Sequence, residues 1–99
     1  PLGPCITTAD EIAFPPALAI PSRINGELRQ DSTTDLLITA SADIIEELSS
    51  GMTLLPGTII ATGTPAGVGM GSDPPKFLKH GDVVECSIEG IGTLRNTVR

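Results

Sequence analysis

Thr62-Gly63-Thr64-Pro65-Ala66-Gly67-Val68-Gly69-Met70-Gly71 follows the β-branched run Thr58-Ile59-Ile60-Ala61-Thr62 and then abandons regular structure. Four glycines in ten positions make a loop, because glycine inside a helix or strand forfeits backbone entropy. The run before it lies between Pro56-Gly57 and Gly63, which predicts a buried strand over 58–62 that delivers the loop. Glycine also lets backbone N–H groups approach a ligand closely, so a segment ending in Thr-Gly-Thr-Pro can cradle a carboxylate or an enolate. The alternative, in which these glycines only turn a corner between strands, stays open on spacing alone.

Two nucleotide-binding motifs fail at this loop. A Walker phosphate loop ends in Gly-Lys-Ser/Thr and opens a helix, whereas Ser72-Asp73-Pro74-Pro75 follows here. A dinucleotide fingerprint counted from Gly67 and Gly69 requires a third glycine at position 72, which is Ser72.

The 99 residues fit one small domain with a single core, and such a domain normally buries about 60–65% of its surface on folding. The opening Pro1-Leu2-Gly3-Pro4-Cys5 has no initiator Met, charged n-region or apolar h-region, so the chain is expected to begin partway through a larger polypeptide. No run of 18 apolar residues occurs, which predicts no transmembrane helix. The expected setting is cytoplasmic, with the mitochondrial matrix as the other compartment. A net charge of −6 and six scattered Lys and Arg residues argue against nucleic acid and against anionic membranes. Cys5 and Cys86 lie far apart and His80 has no ligand neighbour at helical or strand spacing, so zinc is not expected and two buried free thiols are.

Strand signals outnumber helix signals. Asn25-Gly26 within Arg23-Ile24-Asn25-Gly26-Glu27-Leu28-Arg29 predicts a hairpin with a type I′ turn. Asp82–Ile88 and Ile91–Arg95, joined by a Glu89-Gly90 corner, predict a second. One helix is expected, with Ser41 as N-cap, Asp43 at the positive end of the dipole, Ile44, Ile45 and Leu48 as an apolar stripe, and Gly51 in a left-handed C-terminal position. Glu46 and Glu47 on that helix point about 100° apart and are read as solvated rather than chelating. Pro15, Pro16 and Pro21 make 13–21 a stiff connector whose Leu18 and Ile20 can pack on an edge strand. Leu54–Ile60 and Leu78–Val84 share one pattern, a turn feeding a strand, and two copies are too few for a solenoid.

Five segments then occur in an order that resembles the fumarylacetoacetate hydrolase family. They are Gly3-Pro4-Cys5-Ile6 with Thr8–Ile12, Ile24-Asn25-Gly26-Glu27 with Arg29-Gln30, and Gly51-Met52-Thr53-Leu54 with Pro56-Gly57. The fourth is Thr62–Gly69, and the fifth is Phe77-Leu78-Lys79 with Gly81-Asp82-Val83 and Ile88–Gly92. The likeness covers nearly the whole chain, as part of a catalytic domain over 1–99. It implies a mostly β fold, a mixed β roll or sandwich with one or two short helices, incomplete here and commonly dimeric.

The resemblance also implies a chemistry. Family members use Mg²⁺ or Mn²⁺ to hydrolyse C–C bonds in 2-oxo or 1,3-diketo acids, to decarboxylate oxaloacetate-like acids or to isomerise hydroxydienedioates in aromatic-compound catabolism. A hard divalent cation chelated by oxo and carboxylate oxygens stabilises the enolate-like intermediate. The likeness carries over Gly63, Thr64 and Pro65 as substrate-binding residues, with Thr64 donating to a substrate carboxylate. The family's Glu-x-Glu and Asp metal ligands, its substrate-binding Lys and its His–Glu base all precede Gly3-Pro4, so no catalytic and no metal residue is assigned within the chain. His80 stands in a turn where the family often has Pro and is read as not catalytic. The family's common Glu-Pro-Gly-Asp is Leu55-Pro56-Gly57-Thr58 here, and Pro21 is read as removing an N–H from a sheet edge. No glutamate near Phe77 or Leu78 matches the one that fumarylacetoacetase carries after its loop, which favours the small acylpyruvate hydrolases, oxaloacetate decarboxylases and hydroxydienedioate isomerases. The alternative reading is a non-catalytic acid-binding or dimerisation module on the same fold.

Overall fold

The computed structural model describes residues 1–99 and contains five regular elements: strands β1 (Ser22–Ile24) and β2 (Glu27–Gln30), helix α1 (Ser41–Gly51), and strands β3 (Val83–Ile88) and β4 (Gly92–Thr97). The strands form one antiparallel sheet in the order β2-β1-β3-β4. A mostly β fold with one short helix is therefore present, and no helix is long and apolar enough to cross a membrane.

Both hairpins arise from local chemistry. Asn25 and Gly26 both take positive φ, at 52° and 81°, which is the backbone a type I′ turn demands, and Ile24 faces Glu27 across it. In the second hairpin Ile88 faces Gly92, and Gly90 at φ 76° supplies the left-handed residue of a three-residue connection. Cross-strand partners on β3 and β4 are matched in kind. Ser87 and Thr93 hydroxyls meet at 2.7 Å, and Arg95 Nε lies 3.5 Å from Glu85 Oε1.

The hairpins are joined through Asn25. Its backbone N–H donates to Val83 O, Val83 N–H donates to its Oδ1, and its Nδ2 donates to Asp82 Oδ1, each within 2.9 Å. Asp82 also accepts from the Lys79 backbone N–H at 2.8 Å. These bonds, the Asn25 amide first, hold the Asp82 carboxyl below its ordinary 3.8. A depressed carboxyl contributes stability that is complete above that value and is lost as pH falls through the lower, folded one. Asp82→Asn is thus expected to lower stability at neutral pH and to flatten the acid limb below 3.8 in circular-dichroism titrations of the whole protein. An unchanged acid limb would show that this carboxylate does not tie the hairpins together.

The connector 13–21 is fastened along its length. Leu18 N–H donates to Thr34 Oγ1, Thr34 N–H donates back to Leu18 O, Ile20 N–H donates to Ser32 O, and Glu89 and Ala19 exchange bonds at the corner of the second hairpin. Pro21 is not at a sheet edge. It precedes the first residue of the interior strand β1, where its missing N–H costs no ladder bond and its carbonyl accepts from Ser87.

Four other expectations change. Residues 58–62 are extended but unpaired: no backbone N–H from Ile59 to Val68 bonds another backbone group, and a β-branched run without a partner ladder is not a strand. The two echoed turns do match, with Gly57 at φ 87° and Gly81 at φ 90°, but only the second feeds a strand. The cap of α1 is Ala40, which offers no side-chain acceptor; Ser41 is already helical, and Gly51 is the last helical residue, without positive φ. Ile44 and Leu48 are half-buried, whereas Ile45 stays 48% exposed, so the stripe is narrower than expected.

The largest departure concerns the core. No residue is buried, and the accessible surface of 7573 Å² exceeds the roughly 5,300 Å² that a compact protein of this mass presents. The radius of gyration, 15.2 Å, likewise exceeds the roughly 13 Å of a compact domain. Cys5 and Cys86 are accordingly exposed rather than buried. Cys86 shares a sheet face with Val84, Ile88 and its partner Leu94, and the Gly3-Pro4 segment that approaches this face at Leu94 and Gly92 leaves it unburied.

Candidate functional site

Gly63, Thr64 and Pro65 line one wall of an open hollow of about 870 Å³ between the extended segment, α1 and the 3-10 turn at Thr34–Leu36. Thr62, Thr33 and Thr34 also line it, with the Thr34 hydroxyl committed to Pro16 O and Leu18 N–H and that of Thr33 to Asp35, and so do the apolar Leu37, Ile44, Leu48 and Ile60. Asp43 and Glu47, one turn apart on α1, also line it, and no Lys or Arg does. Glu47 therefore borders the candidate site rather than lying on a remote solvated face. An anionic ligand in this hollow requires positive charge brought by other polypeptide.

The loop is positioned from β2. Gln30 Nε2 donates to Thr64 Oγ1 at 2.7 Å and to Pro65 O at 2.9 Å, while its Oε1 accepts from Ser22 Oγ at 3.0 Å. Ser22 and Gln30 are directly opposite in the β1–β2 ladder, so the sheet register itself sets this amide. Thr64 Oγ1 accepts from Gln30, and its own proton has no acceptor within the chain.

Farther along, Gly67 passes so close to β2 that an added Cβ would overlap the Arg29 carbonyl oxygen, and a Cβ on Gly69 would overlap that of Lys76. Lys76 N–H donates to Gly69 O at 2.8 Å and closes the loop on itself. Lys76 Nζ donates to Glu27 Oε1 at 3.0 Å, and with the nearby Arg29 charge this holds the Glu27 carboxyl below its usual range. Arg29 Nε is 3.3 Å from that oxygen but off the line of its N–H, so the contact is Coulombic rather than a hydrogen bond.

The three residues carried over from the resemblance thus share one wall. Sequence reasoning missed Gln30 as their support, and also Ser22 behind it. The available signal was a polar residue ending an alternating strand beside an Asn-Gly turn, which carries no chemistry until its distant partner is known. No group of three or more His, Cys, Asp or Glu side chains is placed to hold a metal ion, so these residues by themselves do not fit a divalent-cation centre. His80 lies in the turn before β3 and does not line the hollow.

The antiparallel sheet and the glycine loop docked on its edge strand can be set beside known proteins. Residues 1–99 match the family model described as fumarylacetoacetate (FAA) hydrolase C-terminal, and the chain belongs to that family. An uncharacterised Staphylococcus aureus protein is 51% identical over 94 residues, which is 95% of this chain and 31% of that protein. The fumarylacetoacetate hydrolase of Exiguobacterium antarcticum superposes with a TM-score of 0.95 at 50% identity, over 100% of this chain and 35% of that one. The 2-hydroxyhepta-2,4-diene-1,7-dioate isomerase of Mycobacterium marinum gives 0.82 at 45% identity, over 97% and 34%. Maleylpyruvate hydrolase of Sphingobium sp. SYK-6, solved with manganese (II) and pyruvate, gives 0.85 at 40% identity, over 97% and 34%. These relatives include both hydrolases and isomerases, and the chain spans about a third of the length of each.

Proposed function

We propose that the protein to which these residues belong is an enzyme acting on a 2-oxo or 1,3-diketo acid, by C–C bond hydrolysis, decarboxylation or isomerisation, and that this chain supplies its acid-binding wall. The observation that carries the reading is Thr64, fixed by Gln30 on the rim of the hollow with its hydroxyl proton uncommitted. A hydroxyl held as acceptor on one side is left to donate on the other, and a substrate carboxylate is a fitting acceptor. The acidic lining from Asp43 and Glu47 supports a design in which cationic groups come from elsewhere in the protein. The proposed cofactor is Mg²⁺ or Mn²⁺, after the manganese in the maleylpyruvate hydrolase complex, with its ligands outside residues 1–99. A homodimer is the proposed assembly.

The test is made on the whole protein loaded with Mn²⁺ and offered acylpyruvates and oxaloacetate. A hydrogen bond to a charged group contributes about 1.5–3 kcal/mol, so Thr64→Ala is expected to lower kcat/KM about 10- to 100-fold. Thr64→Ser, which keeps the hydroxyl, is expected to stay within about threefold. Thr64 is exposed, so neither change should disturb folding. Unchanged kinetics in Thr64→Ala would reduce the loop to a corner between elements, and acid binding without turnover would favour the non-catalytic module.

A further inference from the structure

We infer that Gln30 is a positioning residue which, through its amide, commits the Thr64 hydroxyl to act as a donor into the hollow; this rests on the proposal that Thr64 receives the ligand's carboxylate. The orientation of the Gln30 amide is set by chemistry. Pro65 O can only accept, so the group 2.9 Å from it must be the NH₂, and the other N–H then points at Thr64 Oγ1. The amide oxygen is occupied by the Ser22 hydroxyl at 3.0 Å, which opposes a flip. Thr64 Oγ1 is thereby an acceptor towards β2, and its O–H is left for the hollow. The chain Ser22 O–H to Gln30 amide to Thr64 O–H runs in one direction, and bonds aligned in this way polarise one another. Gln30 does not line the hollow and touches no ligand there, so its influence passes through Thr64.

The experiment uses the whole protein with excess Mn²⁺ and pyruvate as the probe, followed by calorimetric titration from pH 7 down to about 4.3, the ordinary value of a glutamate. Gln30→Glu introduces a carboxylate of nearly the same shape that can only accept. It captures the Thr64 proton and so withdraws the donor from the ligand. Expected is a roughly tenfold or greater loss of pyruvate affinity at pH 7, comparable with Thr64→Ala. That deficit, measured against the unaltered protein at each pH, should shrink as the introduced carboxyl protonates and can donate again. Gln30→Met, which fills the space without a hydrogen bond, is expected to cost about threefold at every pH, since the hydroxyl is then free to choose. The double variant Gln30→Glu/Thr64→Ala should bind no worse than Thr64→Ala alone.

A pH-independent deficit in Gln30→Glu, or additive losses in the double variant, would overturn the positioning role while leaving the acid-binding reading intact, provided Thr64→Ala is itself impaired. Wild-type affinity in Thr64→Ala would defeat the acid-binding reading and this inference together. Gln30→Met losing as much as Gln30→Glu, with matching falls in melting temperature, would make Gln30 a structural prop and defeat the inference alone.

Discussion

Gly67→Ala in the whole protein is expected to be among the most damaging single substitutions available in this chain, costing roughly 3–5 kcal/mol of stability. Two terms combine. Gly67 holds φ at 105°, a conformation alanine adopts only under strain, and the new Cβ overlaps the carbonyl oxygen of Arg29. That oxygen belongs to the backbone of β2, so relief requires the loop to lift or the edge strand to shift, and either motion separates Thr64 from Gln30. Gly69→Ala isolates the second term, because Gly69 has no positive φ yet its Cβ would overlap Lys76 O. Gly71→Ala is the control: its Cβ would rest 3.5 Å from Val68 Cγ2, an ordinary contact, so little change is expected. Thermal melts of the three variants check the order, and a Gly67→Ala melt matching the parent would show that the loop does not lie against β2.

The second large effect concerns the 99 residues taken alone. They are expected to show no cooperative calorimetric transition, to bind a hydrophobic dye, to associate in sedimentation, and to give no turnover with Mn²⁺ and an acylpyruvate. Cooperative unfolding requires a core that excludes water, and here no residue is buried. Ile6, Ile38, Leu2, Met70 and Leu36 are each more than 70% exposed, an apolar surface that isolated monomers rarely carry. A sharp monomeric transition would mean that these faces are not covered in the whole protein.

The same contrast explains what could be read from the residues. The two hairpins were legible because Asn25-Gly26 and Glu89-Gly90 encode their turns within a few positions. The helix was legible to within one residue at its start, since periodicity places Ile44 and Leu48 but does not distinguish Ala40 from Ser41 as the cap. The strand over 58–62 was misread because β-branched composition reports a preference, whereas a strand exists only when a neighbour supplies the other half of its ladder. Cys86 was misjudged for a related reason: alternation says which residues share a face, and only a second layer decides whether that face is dry. At the site, Gly63, Thr64 and Pro65 are assigned through resemblance and, as consecutive residues, line the hollow together. Gln30 was not found, because its role depends on a contact 34 positions away that no local pattern specifies.

The tie between Asn25 and Asp82 has a kinetic corollary. These residues stand 57 positions apart, so each hairpin can zip in microseconds from its own turn, but their union must close a long excursion of chain first. The entropy of that closure is roughly 3–4 kcal/mol on a flexible-loop estimate, offset by three facing residue pairs between β1 and β3 together with the Asn25 bonds and the contacts of the connector with β3 and its corner. The stretch between the two hairpins, residues 31–81 with the helix and the glycine loop, is therefore expected to be organised late in folding and to open before either hairpin melts.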